Sequence, residues 1–183
     1  MIIRPLESND ENALRDLCLA QTPLRKRTQQ ERFVILQSFC QYYLACEAAH
    51  CFVAEENGVM IAAALCAPDF GAYHRRFSER YAPKMAQYGV SATATSKRTL
   101  LFQQGIAGRY RAHCQFLCRE ADCAAALPPL QATVANHLEA LELRGVCAFV
   151  EKQRKQMLRV LGGLRYETLS KRGGIYSLGL LFD

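Results

Sequence analysis

The sequence predicts an α/β domain whose central mixed sheet, of about six to seven strands, is flanked by helices. Two observations support this fold class. The second half of the chain reads strand, loop, helix, strand and helix from Ala112 to Tyr166, which is the order of a parallel crossover unit. Turn-forming dipeptides, Asn57-Gly58 and Gly173-Gly174, each separate two β-prone segments, which is typical of antiparallel hairpins. We therefore expect parallel and antiparallel strand pairs in one sheet.

The length and composition favour one globular domain. At 183 residues, half of them apolar or aromatic, the chain can bury a full core. No apolar run approaches the roughly 20 residues that cross a bilayer, and the N-terminus lacks a signal-peptide pattern, so we expect a cytoplasmic protein without a membrane segment. The expected single domain, 1–183, has three parts: an N-terminal strand, helices and hairpin (1–67), a helical insert (68–108) and a crossover half (109–183).

The N-terminal part predicts a strand, two helices and a hairpin, in that order. Ile2 to Leu6 is β-prone and is interrupted by a proline. Ser8-Asn9-Asp10 then supplies capping side chains for a helix that runs to about Gln21. A second helical period extends from Thr28 to Ala49. The hairpin occupies Cys51 to Cys66, around the Asn-Gly turn.

The insert predicts helix and loop. Its aromatic residues recur every four positions and so form one helical face that packs against the sheet: Tyr73, Phe77 and Tyr81. We expect this helix, from Phe70 to Tyr88, to break at Pro83. The Ser/Thr/Ala-rich stretch 91–96 is a predicted loop, and 97–104 a further helix.

The crossover half has a loop at the place where anionic ligands commonly meet a helix N-terminus. The loop is expected to run from Arg119 to Pro129, between a strand and an amphipathic helix. The other predicted elements are the strand Ala112 to Cys118, the helix Pro129 to Arg144, the strand Val146 to Val150, a helix ending at Arg165-Tyr166, and two closing strands, Arg165 to Leu169 and Ile175 to Phe182.

The nine cysteines predict neither a disulfide framework nor a metal site. Most stand within apolar patterns, as small buried hydrophobes do in a reducing compartment. Cys114, Cys118 and Cys123 lack the spacing of a paired zinc site. The first two would lie about 13 Å apart along one strand, which is too far to share an ion.

The net charge of +6 allows three interpretations. The basic residues cluster in four short groups: 25–27, 74–76, 152–155 and 171–172. We rank a solvated basic surface first and a phosphate-rich small cofactor second. Nucleic acid ranks third and is not an expected partner, because no binding motif accompanies the charge and no aromatic residues interleave with the basic groups.

In its order of elements, the chain resembles the GCN5-related N-acetyltransferases (GNAT) over nearly its whole length. The resemblance rests on an opening strand with Ile3-Arg4-Pro5, on the hairpin from Phe52 to Ala62, and on a central strand leading into a loop before the terminal hairpin. It implies an acyl-CoA-dependent N-acyltransferase. The reaction would transfer an acetyl group from acetyl-CoA to a small-molecule or peptide amine by direct attack in a ternary complex.

The chain departs from the GNAT pattern in two segments. Family loops that hold the pyrophosphate are glycine-rich, whereas residues 119–130 contain no glycine and include Pro128 and Pro129, which have no N–H to donate. The family commonly has an Asn followed, two helical turns later, by a Tyr that protonates the leaving thiolate, but Arg154 and Leu161 stand there. These departures favour the alternative hypothesis, a catalytically inactive GNAT-fold protein that works through its surface, as a monomer or a homodimer. The transferase nevertheless ranks first, because this fold so often carries that activity.

Candidate site residues follow from the resemblance. It assigns acetyl-CoA binding to the end of the central strand, the loop and the following helix, at Leu117, Cys118, Arg119, Ala126, Leu127, Leu130 and Gln131. A backbone N–H near Leu117 or Cys118 would polarise the thioester carbonyl. The side chains proposed for proton transfer are His113, Glu120 and Tyr176, with Glu55 or Glu56 behind them. Cys118 is not expected to be a covalent nucleophile, because no neighbouring residue supplies a base.

Overall fold

The computed structural model describes residues 1–21, 28–89 and 104–182. Within these residues, seven strands form one sheet in the order β1-β2-β3-β4-β5-β7-β6. The strands are β1 (Ile2–Pro5), β2 (Phe52–Glu56), β3 (Val59–Ala67), β4 (Ala112–Cys118), β5 (Gly145–Glu151), β6 (Glu167–Arg172) and β7 (Ile175–Leu181). β4 and β5 are parallel and the other neighbours are antiparallel. The predicted mixed sheet is therefore confirmed.

Helices cover both faces of the sheet. They are α1 (Glu11–Ala20), α2 (Gln29–Phe39), α3 (Gln41–Cys46), α4 (Phe70–Arg76), α5 (Ala82–Ala86), α6 (Gln104–Arg109), α7 (Cys123–Ala140) and α8 (Lys155–Gly163). One apolar cluster joins the sheet to α7 and α8, and a second joins the opposite face to the helices of the first half. None of the helices in these ranges is both long enough and apolar enough to cross a membrane.

The helix expected from Thr28 to Ala49 is in fact divided. α2 ends at Phe39, and Cys40 leaves the helical region at φ −128° before α3 begins. This change of direction carries Tyr42 and Tyr43 into the core, where each is 1% exposed. The apolar period alone could not reveal the break, because Phe39 and Tyr43 keep helical spacing across it.

The expected break at Pro83 is replaced by a change of helix type. α4 runs into a π-helical turn, Phe77–Tyr81, and α5 follows directly. Pro83 is the second residue of α5, where a missing N–H costs little. The predicted aromatic face is confirmed, since its three rings are buried. The predictions for residues 91–96 and for 97–103 lie outside the described residues.

The prediction of a loop from Arg119 to Pro129 is wrong. Only a short 3-10 turn, Glu120–Asp122, separates β4 from α7, which begins at Cys123 and contains both prolines. The prolines remove the intrahelical hydrogen bonds to the carbonyls of Ala124 and Ala125. Both alanines are exposed, so water can bond those carbonyls, and the helix passes through the prolines.

At the start of β5, Gly145 lies very close to the backbone of the neighbouring strand, and this close approach leads to a stability prediction. A Cβ placed on Gly145 would lie 2.8 Å from the carbonyl oxygen of Leu180 in the neighbouring strand. We expect Gly145→Ala to lower the free energy of unfolding by about 1–3 kcal/mol. A Cβ on Gly162, in α8, meets nothing within 4 Å, so Gly162→Ala should raise stability by roughly 0.5–1 kcal/mol. Urea denaturation of both variants tests the packing, and equal effects would contradict it.

A histidine pair joins α7 to the turn before β2 and makes stability depend on pH. Nδ1 of His50 lies 2.9 Å from Nε2 of His137. Burial, and next the neighbouring His50, lower the pKa of His137 below its usual 6.5. Because the unfolded chain then binds a proton at a higher pH than the folded chain, the stability present above pH 6.5 falls as the pH drops below that value. Urea denaturation at pH 7.5 and 5.0 should show a smaller loss for His137→Gln than for the unchanged protein; an equal loss would contradict this.

Candidate functional site

The candidate site lies where the two parallel strands separate. β4 and β5 pair only at Ala112–Val146, His113–Cys147 and Cys114–Ala148. Beyond these positions β4 stays paired with β3 and β5 with β7, so the two strands diverge and open a cleft between their carboxyl ends. Carboxyl ends of parallel strands are where ligands bind in open α/β sheets.

The cleft has apolar walls and polar groups at its open end. Its cavity volume is about 40 Å³ while the bridging side chains are in place. The lining residues come from α2, β4, β5, α8 and the connections beside them: Gln21, Phe39, Gln115, Phe116, Phe149, Val150, Glu151, Arg154 and Met157. Glu151 ends β5 and is half-buried, which places a carboxylate at the polar end of the cleft.

Side chains hydrogen-bond to the β4 backbone where β5 no longer does. The carbonyl of Phe116 accepts a bond from the side-chain amide of Gln115 at 3.4 Å. The N–H of Cys118 donates to Oε1 of Gln21 at 3.2 Å, and the carbonyl of Cys118 accepts from Arg154. Because backbone groups of alternate residues point to the same side of a strand, those of Phe116 and Cys118 both face the cleft. They are available to a ligand that displaces these side chains.

Arg154 crosses the open end of the cleft. Its guanidinium is held on three sides, since Nη2 donates to the carbonyl of Cys118, Nη1 to Oε1 of Gln21, and Nε to Oε1 of Glu120 at 2.7 Å. The Arg154 side chain is only 11% exposed. We call this arrangement of Gln21 and Arg154, which joins the end of α1 to the N-cap of α8, the Gln21–Arg154 bridge.

Glu120 has a structural position at the same place. Its Oε1 accepts from Arg154, and its Oε2 accepts from the backbone N–H of Gln156 at 2.9 Å, in the first turn of α8. The carboxylate therefore satisfies a helix N-terminus as well as pairing with the guanidinium. Both interactions would oppose its action as a free base.

His113 lies in the core on the opposite side of the sheet from α7. The side chain is 1% exposed, and Nδ1 lies 2.8 Å from the hydroxyl of Tyr43. The ring stacks with Phe70 and Tyr73, whose centroids are 5.2 and 5.0 Å away. His113 does not line the cleft. It thus belongs to the buried aromatic packing around α4.

Tyr176 stands beside the cleft wall. It is half-buried in β7 and pairs directly with Val150, a lining residue of β5. The ammonium of Lys171 lies 5.0 Å from the centre of its ring. Glu55, by contrast, is bonded to Arg4 of β1, with Nη2 of Arg4 at 2.8 Å. Tyr176 does not itself line the cleft, and its role stays a prediction.

The residues predicted to hold acetyl-CoA fall into two groups. Cys118 is at the cleft, while Leu117 faces the opposite core and Arg119 is exposed, with Nε 4.0 Å from Asp122. The second group lies on α7: Ala126, Leu127 and Leu130 are 0% exposed in the core, and Gln131 lines a surface groove with Gly163 and Phe182. Ala126 and Leu127 lie on the helix because α7 begins earlier than the sequence suggested, whereas Leu130 and Gln131 were already within the predicted helix.

The thiols of Cys118 and Cys123 share one acceptor. Cys118 donates to the carbonyl of Arg119 at 3.3 Å, as does the thiol of Cys123 at 3.2 Å. The neighbouring Cys123 thiol, and then burial, raise the pKa of Cys118 above its usual range. A thiol with a raised pKa is a poor nucleophile near neutral pH. Across the described ranges, no group of three or more His, Cys, Asp or Glu side chains is placed to hold a metal ion.

Sequence reasoning missed most of the cleft lining. Gln21, Gln115 and Glu151 carry its polar groups, and none had been singled out. For Glu151 a signal existed, because it is a carboxylate at the carboxyl end of a strand in a parallel pair. Gln21 and Arg154 are 133 positions apart, so no local pattern could connect them.

Comparisons with known proteins agree on the architecture. No protein-family model matches the chain, and no curated protein matches it in sequence. Among solved structures, SsHAT is 16% identical with a TM-score of 0.77, over 98% of this chain and 97% of that chain. The polyamine N acetyltransferase of Drosophila melanogaster, which forms N-acetylagmatine, is 12% identical with a TM-score of 0.59, over 99% of both chains.

A third similar structure contains the coenzyme. The NatC complex bound to Gag peptide and CoA is 9% identical with a TM-score of 0.56, over 100% of this chain and 98% of that chain. The chain has the GNAT fold. At these identities the likeness concerns the fold alone. In this GNAT fold, the separation of β4 and β5 is present, but the Gln21–Arg154 bridge crosses its open end.

Proposed function

We propose that the protein is an acyl-CoA-dependent N-acyltransferase that transfers an acetyl group from acetyl-CoA to an amine by direct attack in a ternary complex. The observation that supports the proposal is the cleft between β4 and β5. Its walls are apolar, and the β4 backbone groups that face it are hydrogen-bonded to side chains and not to another strand. An extended ligand with amide groups can bond such a strand edge as an added strand does.

The residues that line the cleft are suited to the extended pantetheine arm of acetyl-CoA. Carbonyl and N–H groups of Phe116 and Cys118 would bond the amides of the pantetheine arm, and Phe149, Val150 and Met157 would contact its apolar segments. Binding of the phosphates of acetyl-CoA depends on a basic side chain, because the turn after β4 has no glycine and carries two acidic residues, Glu120 and Asp122. Bound acetyl-CoA supplies the thioester that is the acyl source.

The chemistry needs a polarising donor, a base and an acid. A cleft-facing N–H of β4, deeper in the cleft than that of Cys118, would donate to the oxygen on which negative charge develops. We assign removal of the amine proton to Glu151, because its carboxylate lines the cleft, whereas His113 and Glu120 do not. Oε2 of Glu151 accepts a hydrogen bond from the side-chain amide of Gln153, and Oε1 would take the proton. Tyr176, beside Val150, is proposed to protonate the leaving thiolate. The acceptor class is an amine, as for the polyamine enzyme to which the chain is similar.

The alternative function is a GNAT-fold protein that binds a partner without catalysis. The Gln21–Arg154 bridge and the glycine-free turn favour it, because both reduce access for a phosphate-bearing donor. The two functions differ in one assay. Incubation with acetyl-CoA and a panel of polyamines, aromatic amines and peptides, followed by mass spectrometry, should reveal an acetylated amine. Mass spectrometry is preferable to a thiol reagent because the protein itself has nine free cysteines.

The assay needs a matched variant whose loss of charge lies away from the cleft. Arg144→Ala is suitable, because Arg144 is exposed at the opposite end of β5 from the cleft and should leave turnover unchanged. Binding of acetyl-CoA with no acetylated product from any amine class would favour the non-catalytic function. Absence of both binding and product would exclude the transferase.

A further inference from the structure

The Gln21–Arg154 bridge places two hydrogen-bond donors on one side-chain oxygen. The backbone N–H of Cys118 and Nη1 of Arg154 both donate to Oε1 of Gln21. The amide nitrogen of Gln21 is in turn fixed by the carbonyl of Leu17 at 2.8 Å. The oxygen therefore fills a position prepared for an acceptor, at the end of a cleft that is itself lined by Gln21 and Arg154.

The donors at this position would bond a charged oxygen more strongly than an amide oxygen. A guanidinium forms shorter and stronger bonds with phosphate than with a neutral carbonyl, and can form two in parallel. Arg154 has Glu120 as its carboxylate partner, but Glu120 is 43% exposed and also bonds the N–H of Gln156. The guanidinium thus retains capacity for a second anion.

Arg119, also at the end of β4, is 56% exposed and lies 4.0 Å from Asp122, so its charge is screened by water. The turn leading to α7 has no glycine to admit a phosphate to the backbone. Lys152 and Lys155 flank Arg154 but are exposed, so their charges are screened by water. Arg154 is the buried cation that faces the cleft in this part of the chain.

We propose that the Gln21–Arg154 bridge closes the cleft in the free protein, and that a donor carrying a diphosphate opens it by taking the place of the Gln21 oxygen on Arg154. Arg154 then binds the phosphates that a glycine-rich loop would otherwise hold. The inference rests on the proposed function, since it concerns the same cleft. It makes Gln21 a competitor of the donor and Arg154 a determinant of specificity for phosphate-bearing donors.

Two ligands separate these roles. Coenzyme A carries the diphosphate, and pantetheine has the same thiol arm without any phosphate. Isothermal titration of the full chain with each ligand should show that Gln21→Ala binds coenzyme A roughly three- to tenfold more tightly, because a competing hydrogen bond is lost. Arg154→Ala should bind coenzyme A at least about tenfold more weakly, while its affinity for pantetheine does not fall.

Matched variants keep the test independent of folding. Arg144→Ala removes an equal charge far from the cleft and should leave both affinities unchanged. Arg154→Lys retains the charge without the paired donors and should lose part of the affinity for coenzyme A. Thermal unfolding of each variant verifies that it is folded before titration, and Gln21→Ala, at the end of α1, tests the bridge even where Arg154→Ala is unstable.

Other titration results would contradict specific parts of the proposal. Equal losses for both ligands in Arg154→Ala would mean that Arg154 merely shapes the wall, and weaker coenzyme A binding by Gln21→Ala would show that Gln21 is not a competitor. If the unchanged protein binds coenzyme A and neither variant differs from it, the bridge proposal fails while the proposed function stands. If no form binds either ligand, both fail.

Discussion

Replacing Leu127 with alanine is expected to lower the free energy of unfolding by about 2–5 kcal/mol. Leu127 is 0% exposed and belongs to the apolar cluster between α7 and the sheet. The cost combines lost apolar burial with the cavity that remains when neighbours cannot close around it. Were Leu127 instead part of an exposed cofactor loop, as its sequence context suggests, the same change would weaken ligand binding and leave stability unaltered.

The matched control is Leu141→Ala, one residue beyond the end of α7. Leu141 is 41% exposed, so its removal should change stability by no more than about 0.5 kcal/mol. Urea denaturation of both variants measures the difference. Similar values for the two leucines would contradict the placement of the first turns of α7 in the core.

Replacing Glu151 with glutamine is expected to lower kcat/KM for acetyl transfer by about 10²- to 10⁴-fold, the range of a lost general base. Glutamine keeps the size and hydrogen-bonding capacity of the side chain but cannot accept the amine proton. If Glu151 acts as the base and takes no part in binding, the affinity for acetyl-CoA should remain unchanged.

Glu139→Gln serves as the control, since Glu139 is exposed on α7 and does not line the cleft. Steady-state kinetics over pH 6 to 9 and titration with acetyl-CoA separate catalysis from binding. Unchanged turnover in Glu151→Gln would remove the proposed base, and a loss confined to acetyl-CoA affinity would assign Glu151 to binding instead.

The turns and the sheet could be predicted from the sequence because their signals are local. Asn57 and Gly58 have φ of 52° and 76°, and Gly173 and Gly174 have φ of 55° and 79°, as tight hairpin turns require. The parallel pairing of β4 with β5 followed from the helix between them, since a crossover permits that direction.

The start of α7 could not be predicted while its prolines were given more weight than its apolar period. The buried positions Cys123, Ala126, Leu127 and Leu130 continue without interruption through Pro128 and Pro129. Proline stops a helix when the freed carbonyl is buried, but here the two carbonyls belong to exposed alanines. The deciding quantity is solvent exposure of those alanines, which the fold determines.

The end of the central strand was predicted as a binding position, but the residues that line the cleft were not predicted. The fold puts the strand separation after Cys114, and this follows from the order of elements. Which side chains fill it depends on long-range contacts, such as that between Gln21 and Arg154. Arg154 stands where the family has an asparagine, and the sequence alone indicated a loss of function there. In the structure, Arg154 makes three hydrogen bonds at the open end of the cleft.

The central claim is that acetyl-CoA binds between β4 and β5. Hydrogen–deuterium exchange of the full chain, with and without saturating acetyl-CoA, tests it most directly because it reports both binding and position. We expect slower exchange in the separated parts of the two strands and at the start of α8, residues 115–118 and 149–156. Unchanged exchange there at millimolar acetyl-CoA, or protection confined to another surface, would contradict the account.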